Sequence, residues 1–138
     1  MTALPDSTDL TIEGWPIERL IPSPRNARTH DAAQVADIAG SIRAFGFRNP
    51  ILVGPEGDVV AGHGRLAAAR KLGLSTVPVI VLRDLTETQR RQLMLADNRI
   101  ALNSGWDARM LALELRDLRD LGADLKIMGF NEIGRAHV

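Results

Sequence analysis

The chain of 138 residues contains no cysteine. Disulfide bonds, cysteine-based zinc sites and a cysteine nucleophile are therefore excluded. No apolar run approaches the roughly 20 residues that span a bilayer, and the first residues have neither the basic region nor the apolar core of a signal peptide. We therefore expect a cytoplasmic protein with no membrane partner.

Net charge is also lacking, because 17 basic residues balance 17 acidic ones. A dedicated DNA-binding domain is usually strongly basic, so this balance argues against strong affinity for the DNA backbone. Residues 25–99 nevertheless hold eleven basic against seven acidic residues, a surplus of four. Arginine supplies 15 of the 17 basic side chains, and its planar fork suits phosphate better than the point charge of lysine.

Length and a hydrophobic content of 45% predict one globular domain. The apolar patterns predict strands at residues 17–21, 50–53, 59–61 and 77–81, and helices at residues 31–45, 64–72, 86–98 and 107–121. Pro78 favours an edge position for the fourth strand. We predict an α/β (α+β) domain at residues 15–102, between a flexible tail at 1–14 and a helical extension at 103–133. Residues 134–138 have the character of a tail foreign to the protein.

The most informative segment is the turn Gly62-His63-Gly64-Arg65, between a β-branched strand and an alanine-rich helix. The glycines permit a sharp bend and a close ligand approach. The first turn of a helix leaves N–H groups without partners and carries partial positive charge. With Arg65 added, the segment predicts a phosphate cradle. A tight strand-to-helix turn with a solvated arginine fits the same residues.

Three segments, at residues 20–26, 41–53 and 62–69, occur in an order and spacing that resemble the N-terminal domain of ParB partition proteins. The superfamily also includes sulfiredoxin and the ParB-like free-serine kinases. The resemblance covers about residues 15–102. It implies a small mixed ParB/sulfiredoxin-like sheet with packed helices and a helical C-terminal part.

In ParB proteins, a Gly-Glu-Arg-Arg-x-Arg-Ala box wraps the triphosphate of CTP. Gly62 and Arg65 match this box, whereas His63 and Gly64 replace a glutamate and an arginine. In sulfiredoxin the catalytic cysteine stands where this chain has His63, which argues against reductase chemistry. His63 fits either a general acid/base and phosphate donor or an exposed turn residue.

Two further segments extend the resemblance. Asp97-Asn98-Arg99 looks like the Glu-Asn-x-x-Arg segment whose acid and amide help to hold magnesium in ParB proteins. A helix end capped by Asn98 is the alternative. Residues 46–50 resemble the Gly-x-x-Gln-Pro element beside the base. The expected nucleotide-binding residues are Arg25, Arg28, Gly46, Arg48, Asn49, Pro50, Gly62, His63, Gly64, Arg65 and Arg99, and the expected metal ligands are Asp97 and Asn98.

The resemblance implies a domain that binds a nucleoside triphosphate, CTP or ATP, with Mg²⁺. It would act as a switch in a homodimeric or DNA-associated protein, either a partition protein or one fused to a DNA methyltransferase in bacteria or phages. Slow triphosphate hydrolysis stays open. One alternative is a small kinase of the free-serine type, with His63 or Asp97 near the transferred phosphoryl group. Another is a DNA-binding or nuclease module without nucleotide, although Asp97 alone offers too few acids for two metals.

Overall fold

A four-stranded mixed sheet lies at the centre of a computed structural model, which describes residues 10–26, 29–103, 105–132 and 135–136. The strands follow the order β1-β4-β2-β3. The central strand β4 runs antiparallel to β1 and parallel to β2, and β2 and β3 form an antiparallel hairpin. The strand bounds are Glu13–Pro16 for β1, Ile51–Val53 for β2, Val59–Ala61 for β3 and Thr76–Val81 for β4.

Four α-helices lie in the described part of the chain: α1 at Ala32–Phe45, α2 at His63–Leu72, α3 at Glu87–Asn103 and α4 at Ala108–Asp120. A short hairpin follows, with β5 at Phe130–Glu132 and β6 at Arg135–Ala136. The predicted α/β class with a helical C-terminal part is confirmed. None of these helices combines the length and apolarity that crossing a membrane requires.

Side chains close the N-termini of three helices. The Asp31 carboxylate accepts a hydrogen bond from the Gln34 amide at 2.7 Å and caps α1. Thr86 and Gln89 form a reciprocal capping box on α3, with bonds of 3.1 and 2.8 Å. Asp107 caps α4. These bonds satisfy N–H groups that would otherwise have no partner in the helix.

The main core lies between the sheet and α2. Ile51, Val53 and Val79 of the two parallel strands are fully buried, as is typical of β-branched residues in a covered sheet. From α2, Leu66 and Ala69 pack on the same cluster. This burial fixes α2 against the sheet and thereby determines where its N-terminus points.

The first strand differs from the prediction. The alternation at residues 17–21 is not a strand, because Ile17–Arg19 forms a 3-10 turn and Ile21 makes one parallel bridge to Asp58. The strand β1 begins at Glu13 instead, since Trp15 is the residue that enters the core, at 3% exposure. The predicted tail at 1–14 is therefore wrong at its last two residues. Residues 1–9 lie outside the described part.

Three other predictions need correction. Pro78 is not on an edge strand, since β4 lies between β1 and β2. It is tolerated there because pairing with β2 begins only at Val79. The helix α3 continues past Asn98 to Asn103, so Asn98 is not a left-handed cap, and no described non-glycine residue has a positive φ. The β5–β6 hairpin forms in residues that the sequence analysis assigned to the end of the helical extension and to the tail at 134–138.

Candidate functional site

The N-terminus of α2 is the centre of the candidate site. Gly62 precedes it in a left-handed conformation, with φ 105° and ψ 25°, and no side chain of the described residues caps this helix end. A Cβ atom at Gly62 would lie 3.2 Å from both Ile51 Cγ1 and Arg65 Nη1. Glycine is therefore required here for its backbone conformation and for space. The arrangement leaves the first N–H groups of α2 to be satisfied from outside the helix.

A cleft of about 520 Å³ opens in front of this helix end. The other walls come from α1, from the loop that follows α1, and from α3. One part of the lining is apolar, with Ile38, Ile42, Phe45, Phe47, Val60 and Ala61. The remainder is polar or glycine, with Asn26, His30, Gln34, Ser41, Gly46, Arg48, Asn49, Gly62, His63, Gly64, Arg65, Asp97 and Asn98. A concave site with apolar surface and a few converging polar groups is typical of small-molecule binding.

The structure brings together most of the residues that the sequence analysis selected. Nine of them line this one cleft, and they come from three separate segments of the chain: Gly46, Arg48 and Asn49; Gly62, His63, Gly64 and Arg65; and Asp97 and Asn98. Pro50 lies beside them, because its carbonyl accepts a hydrogen bond from Arg65 Nη1 at 3.2 Å.

Two of the selected arginines that the structure describes are not part of this lining. Arg25 lies in a neighbouring cleft of about 220 Å³, between its own loop and α3. Arg99 is exposed on α3 and does not line the larger cleft, because the helix continues through this position and turns it away from Asp97. Arg28 lies outside the described residues.

Sequence reasoning missed the contribution of α1 and of the segment before it. His30, Gln34 and Ile38 line the cleft, and the His30 Nδ1 and Gln34 Oε1 atoms are 2.9 Å apart. The helical spacing of Ile38 and Ile42 is visible in the sequence, but that both remain half-buried is visible only in the structure. An apolar helix face that remains half-buried borders either a cleft or a partner.

Gly64 has a packing role that its motif does not reveal. A Cβ atom there would lie 2.9 Å from Ile38 Cδ1 and 3.0 Å from the His30 ring. Gly64 itself is buried. The absent side chain therefore lets α1 approach α2 closely at the edge of the cleft.

His63 is half-buried and is not the exposed turn residue of the alternative interpretation. Its Nε2 atom accepts a hydrogen bond from the Ser23 backbone N–H at 3.1 Å. Burial, and to a smaller extent the nearby His30, lower the pKa of His63 below the usual histidine value. The accepting Nε2 places the proton of the neutral imidazole on Nδ1, and the lowered pKa favours the neutral form.

Arg48 closes the C-terminal end of α1. Its Nε atom donates to the Phe45 carbonyl at 2.7 Å. Gly46, with φ 85°, ends the helix and donates its own N–H to Ile42. Arg48 is thus held at the mouth of the cleft by the helix end that it caps.

The described residues contain no group of three or more histidine or acidic side chains that could hold a metal by themselves. Asp97 and Asn98 are adjacent on α3, and both line the cleft. The Asn98 amide nitrogen donates to Asn26 Oδ1 at 3.5 Å, so its oxygen is the atom left for a ligand. One carboxylate and one amide oxygen fit Mg²⁺, which typically takes one or two protein oxygens together with phosphates and water.

Comparison with known proteins identifies the class of domain. The family model described as the ParB N-terminal domain matches residues 4–99, and the chain belongs to this family. A relative from Escherichia coli K12, the ParB-like nuclease domain-containing protein YnaK, is 45% identical over 86 residues, which are 62% of this chain and 99% of the relative. The chromosome-partitioning protein Spo0J of Thermus thermophilus is 36% identical over 102 residues. That match takes in 71% of this chain and 38% of the relative, so the chain spans little more than a third of that partition protein.

Solved structures agree with the family. The C-terminally truncated chromosome-partitioning protein ParB from Caulobacter crescentus, complexed with CTP-γ-S, is 28% identical with a TM-score of 0.72, over 91% of this chain and 72% of that one. Sulfiredoxin from Arabidopsis thaliana is also 28% identical, with a TM-score of 0.51, over 61% of this chain and 97% of that one. The resemblance drawn from the three sequence segments is confirmed.

Proposed function

We propose that this domain binds a CTP-like nucleoside triphosphate together with Mg²⁺ in the cleft of about 520 Å³. One observation carries the proposal: the N-terminus of α2, with Gly62 and Arg65 and no cap from a described side chain, opens into a cleft that Asp97 and Asn98 also line. A helix N-terminus attracts phosphate through its N–H groups and its dipole. The similar Caulobacter ParB, solved with CTP-γ-S, supports CTP as the first ligand to test.

Each wall of the cleft has a distinct part in this proposal. Arg65 adds a full positive charge beside the helix end, and its bond to the Pro50 carbonyl orients the guanidinium. The apolar side chains of α1 and the loop after it, such as Ile42 and Phe47, offer a surface for the base and sugar. Asp97 and Asn98 would hold Mg²⁺, which neutralises charge on phosphate oxygens when it is bound.

The bound nucleotide acts as a switch because the metal-facing residues lie on α3. That helix leads into α4, and large exposed apolar side chains lie on α3 (Leu102), on α4 (Met110) and between the two helices (Trp106). A ligand that pulls on Asp97 would shift these helices and change which apolar surface is available to a second copy.

A DNA partner is part of the proposal, since a Caulobacter ParB of 26% identity and TM-score 0.54 was solved bound to the centromeric parS site.

The kinase alternative lacks comparable support. It needs His63 or Asp97 at the transferred phosphoryl group, and His63 Nε2 is already occupied by the Ser23 N–H. Nuclease activity by two metals is not favoured either, because the described residues provide no suitable acidic cluster.

Calorimetric titration with CTP, ATP, GTP and UTP, each with and without Mg²⁺, tests the proposal. The Arg65→Ala protein should bind CTP about 10- to 100-fold more weakly, because a hydrogen bond to a charged group is worth about 1.5–3 kcal/mol. The Asp97→Asn protein should lose the dependence of affinity on Mg²⁺. Arg70→Ala is the matched control, since Arg70 is exposed on the last turn of the same helix.

Light scattering during the same titration checks the switch, and a CTP-dependent rise in mass supports it. Two results would overturn the proposal: no heat with any of the four nucleotides, or equal affinity of the Arg65→Ala and Arg70→Ala proteins for CTP.

A further inference from the structure

The proline loop, residues 22–26, joins the cleft to the sheet. At its start, Ile21 is fixed to the β2–β3 turn, because its N–H donates to Gly57 at 2.8 Å and its carbonyl accepts from Val59 at 2.9 Å. Beyond it, the Ser23 N–H donates to His63 Nε2 at 3.1 Å. The imidazole of His63 thus connects the proline loop to the N-terminus of α2.

Internal bonds make the loop a defined turn. The Ser23 carbonyl accepts from the Asn26 N–H at 3.2 Å, and the Ser23 hydroxyl accepts from the Arg25 N–H at 3.2 Å. Asn26, which lines the cleft, then accepts from the Asn98 amide at 3.5 Å. A contact that fixes Ser23 therefore also fixes Asn26, and through it the side chain of Asn98.

We propose that His63 is a positioning residue that holds the proline loop against the N-terminus of α2, with Nε2 as the acceptor for Ser23. Through Asn26, this contact sets the orientation of Asn98 at the edge of the cleft. The effect on ligand affinity rests on the proposed nucleotide function, whereas the effect on the loop does not.

A positioning role and a phosphate-binding role require different states of His63. As a phosphate counter-ion, His63 would be cationic, and both ring nitrogens would be donors that cannot accept from Ser23. Among the described residues, the charged and titratable groups that share its cleft are His30 before α1, Arg48 after α1, Arg65 on α2 and Asp97 on α3. The Ser23 N–H needs an acceptor, and of the two forms of the ring only the neutral one provides it.

Three substitutions separate the two roles. His63→Gln keeps an acceptor oxygen near the position of Nε2, His63→Leu removes it at similar volume, and His63→Lys keeps a cation without an acceptor. In the ligand-free parent protein at neutral pH, proton–nitrogen NMR correlations should show the Nδ1-protonated tautomer. Exchange of the Ser23 amide hydrogen should be slow in the parent and the Gln variant, and at least about tenfold faster in the Leu and Lys variants.

Affinity for CTP with Mg²⁺ provides the second measurement. We expect the Gln variant to remain within about threefold of the parent, and the Leu and Lys variants to be weaker by about five- to tenfold, as for loss of one hydrogen bond. Circular dichroism confirms that each variant is folded. A parent that binds no nucleotide refutes the proposed function and leaves the exchange data to decide the role of His63.

An Nε2-protonated tautomer, unchanged Ser23 exchange in the Leu variant, or rescue by Lys but not by Gln would each overturn the inference. The tautomer is measured on the parent protein, so a variant that fails to fold does not remove the test.

Discussion

The two ends of α2 offer a matched pair of substitutions. Gly62 and Gly73 both have left-handed backbones, with φ 105° and 72°. A Cβ atom at Gly73 would meet nothing within 4 Å, whereas one at Gly62 would meet Ile51 and Arg65 at 3.2 Å. Substitution by alanine is the same chemical change at both positions, with a similar backbone penalty. At Gly73 the new methyl group lies in open space, whereas at Gly62 it lies inside the candidate site.

The expected losses of stability differ by the cost of that crowding. A left-handed alanine costs about 1–2 kcal/mol, of which about 0.4–1 kcal/mol is regained because alanine restricts the unfolded chain. Gly73→Ala should therefore lower the free energy of unfolding by about 1 kcal/mol. Gly62→Ala adds about 1–3 kcal/mol, because buried Ile51 and the Arg65 guanidinium must move, for a total of about 2–4 kcal/mol.

Urea unfolding followed by tryptophan fluorescence measures these losses, since Trp15 is buried in the main core. With a slope of about 1–3 kcal/mol per molar urea, the midpoint for Gly62→Ala should lie about 1 M below that for Gly73→Ala. Calorimetry on the folded proteins should show weaker CTP binding for Gly62→Ala alone. Equal midpoints, or equal affinities of the two variants, would refute the argument that Gly62 is tuned to this site.

Two further predictions concern other parts of the domain. Thr86→Ala removes one half of the α3 capping box and should lower the free energy of unfolding by about 1 kcal/mol. Nucleotide affinity should not change, because Asp97 lies toward the other end of the helix. A loss of affinity would contradict this separation between the cap and the site. The lowered pKa of His63 means that the folded protein binds fewer protons than the unfolded chain below the ordinary value of 6.5. The contribution of His63 to stability is complete above pH 6.5 and decreases as the pH falls through the folded pKa. The melting temperature of the parent should therefore fall more steeply with acid than that of His63→Gln. Parallel curves for the two proteins would contradict the assignment of a neutral His63 to the folded state.

Local signals are enough to place most helix ends in this sequence. Asp31, Thr86 and Asp107 all cap the helices that follow them, because a capping bond involves residues only two or three positions apart. Gly73 ends α2 in a left-handed conformation for an equally local reason. Such features depend on a few neighbouring residues and little on the tertiary structure around them.

Strand positions were less predictable because distant residues decide them. The alternation of Ile17 and Ile21 looked like a strand, yet burial of Trp15 selects the preceding residues as β1. Trp15 is further fixed by Arg19, whose guanidinium lies 3.6 Å from the indole ring centroid. Pro78 suggested an edge strand, but whether its missing N–H matters depends on where β2 begins.

The site divides in the same way. The α2 side was visible in the sequence, because the strand, the glycine turn and the helix N-terminus are contiguous. The α1 side was not, since Ile38 and His30 reach the cleft only because Gly64 lets two helices pack closely. A glycine that serves helix packing carries the same letter as one that serves ligand approach, so the motif alone does not separate the two functions.

The charge of the cleft is smaller than the sequence suggested. Of the described basic residues between positions 25 and 99, only Arg48 and Arg65 line it, while Arg25 and Arg99 lie elsewhere. The end of a helix adds about half a positive charge, and Asp97 subtracts a full one. A triphosphate therefore exceeds the positive charge that these residues supply, and a divalent cation is the most direct way to balance it. This imbalance is the physical reason why we expect CTP affinity to depend on Mg²⁺ and on the Asp97 carboxylate.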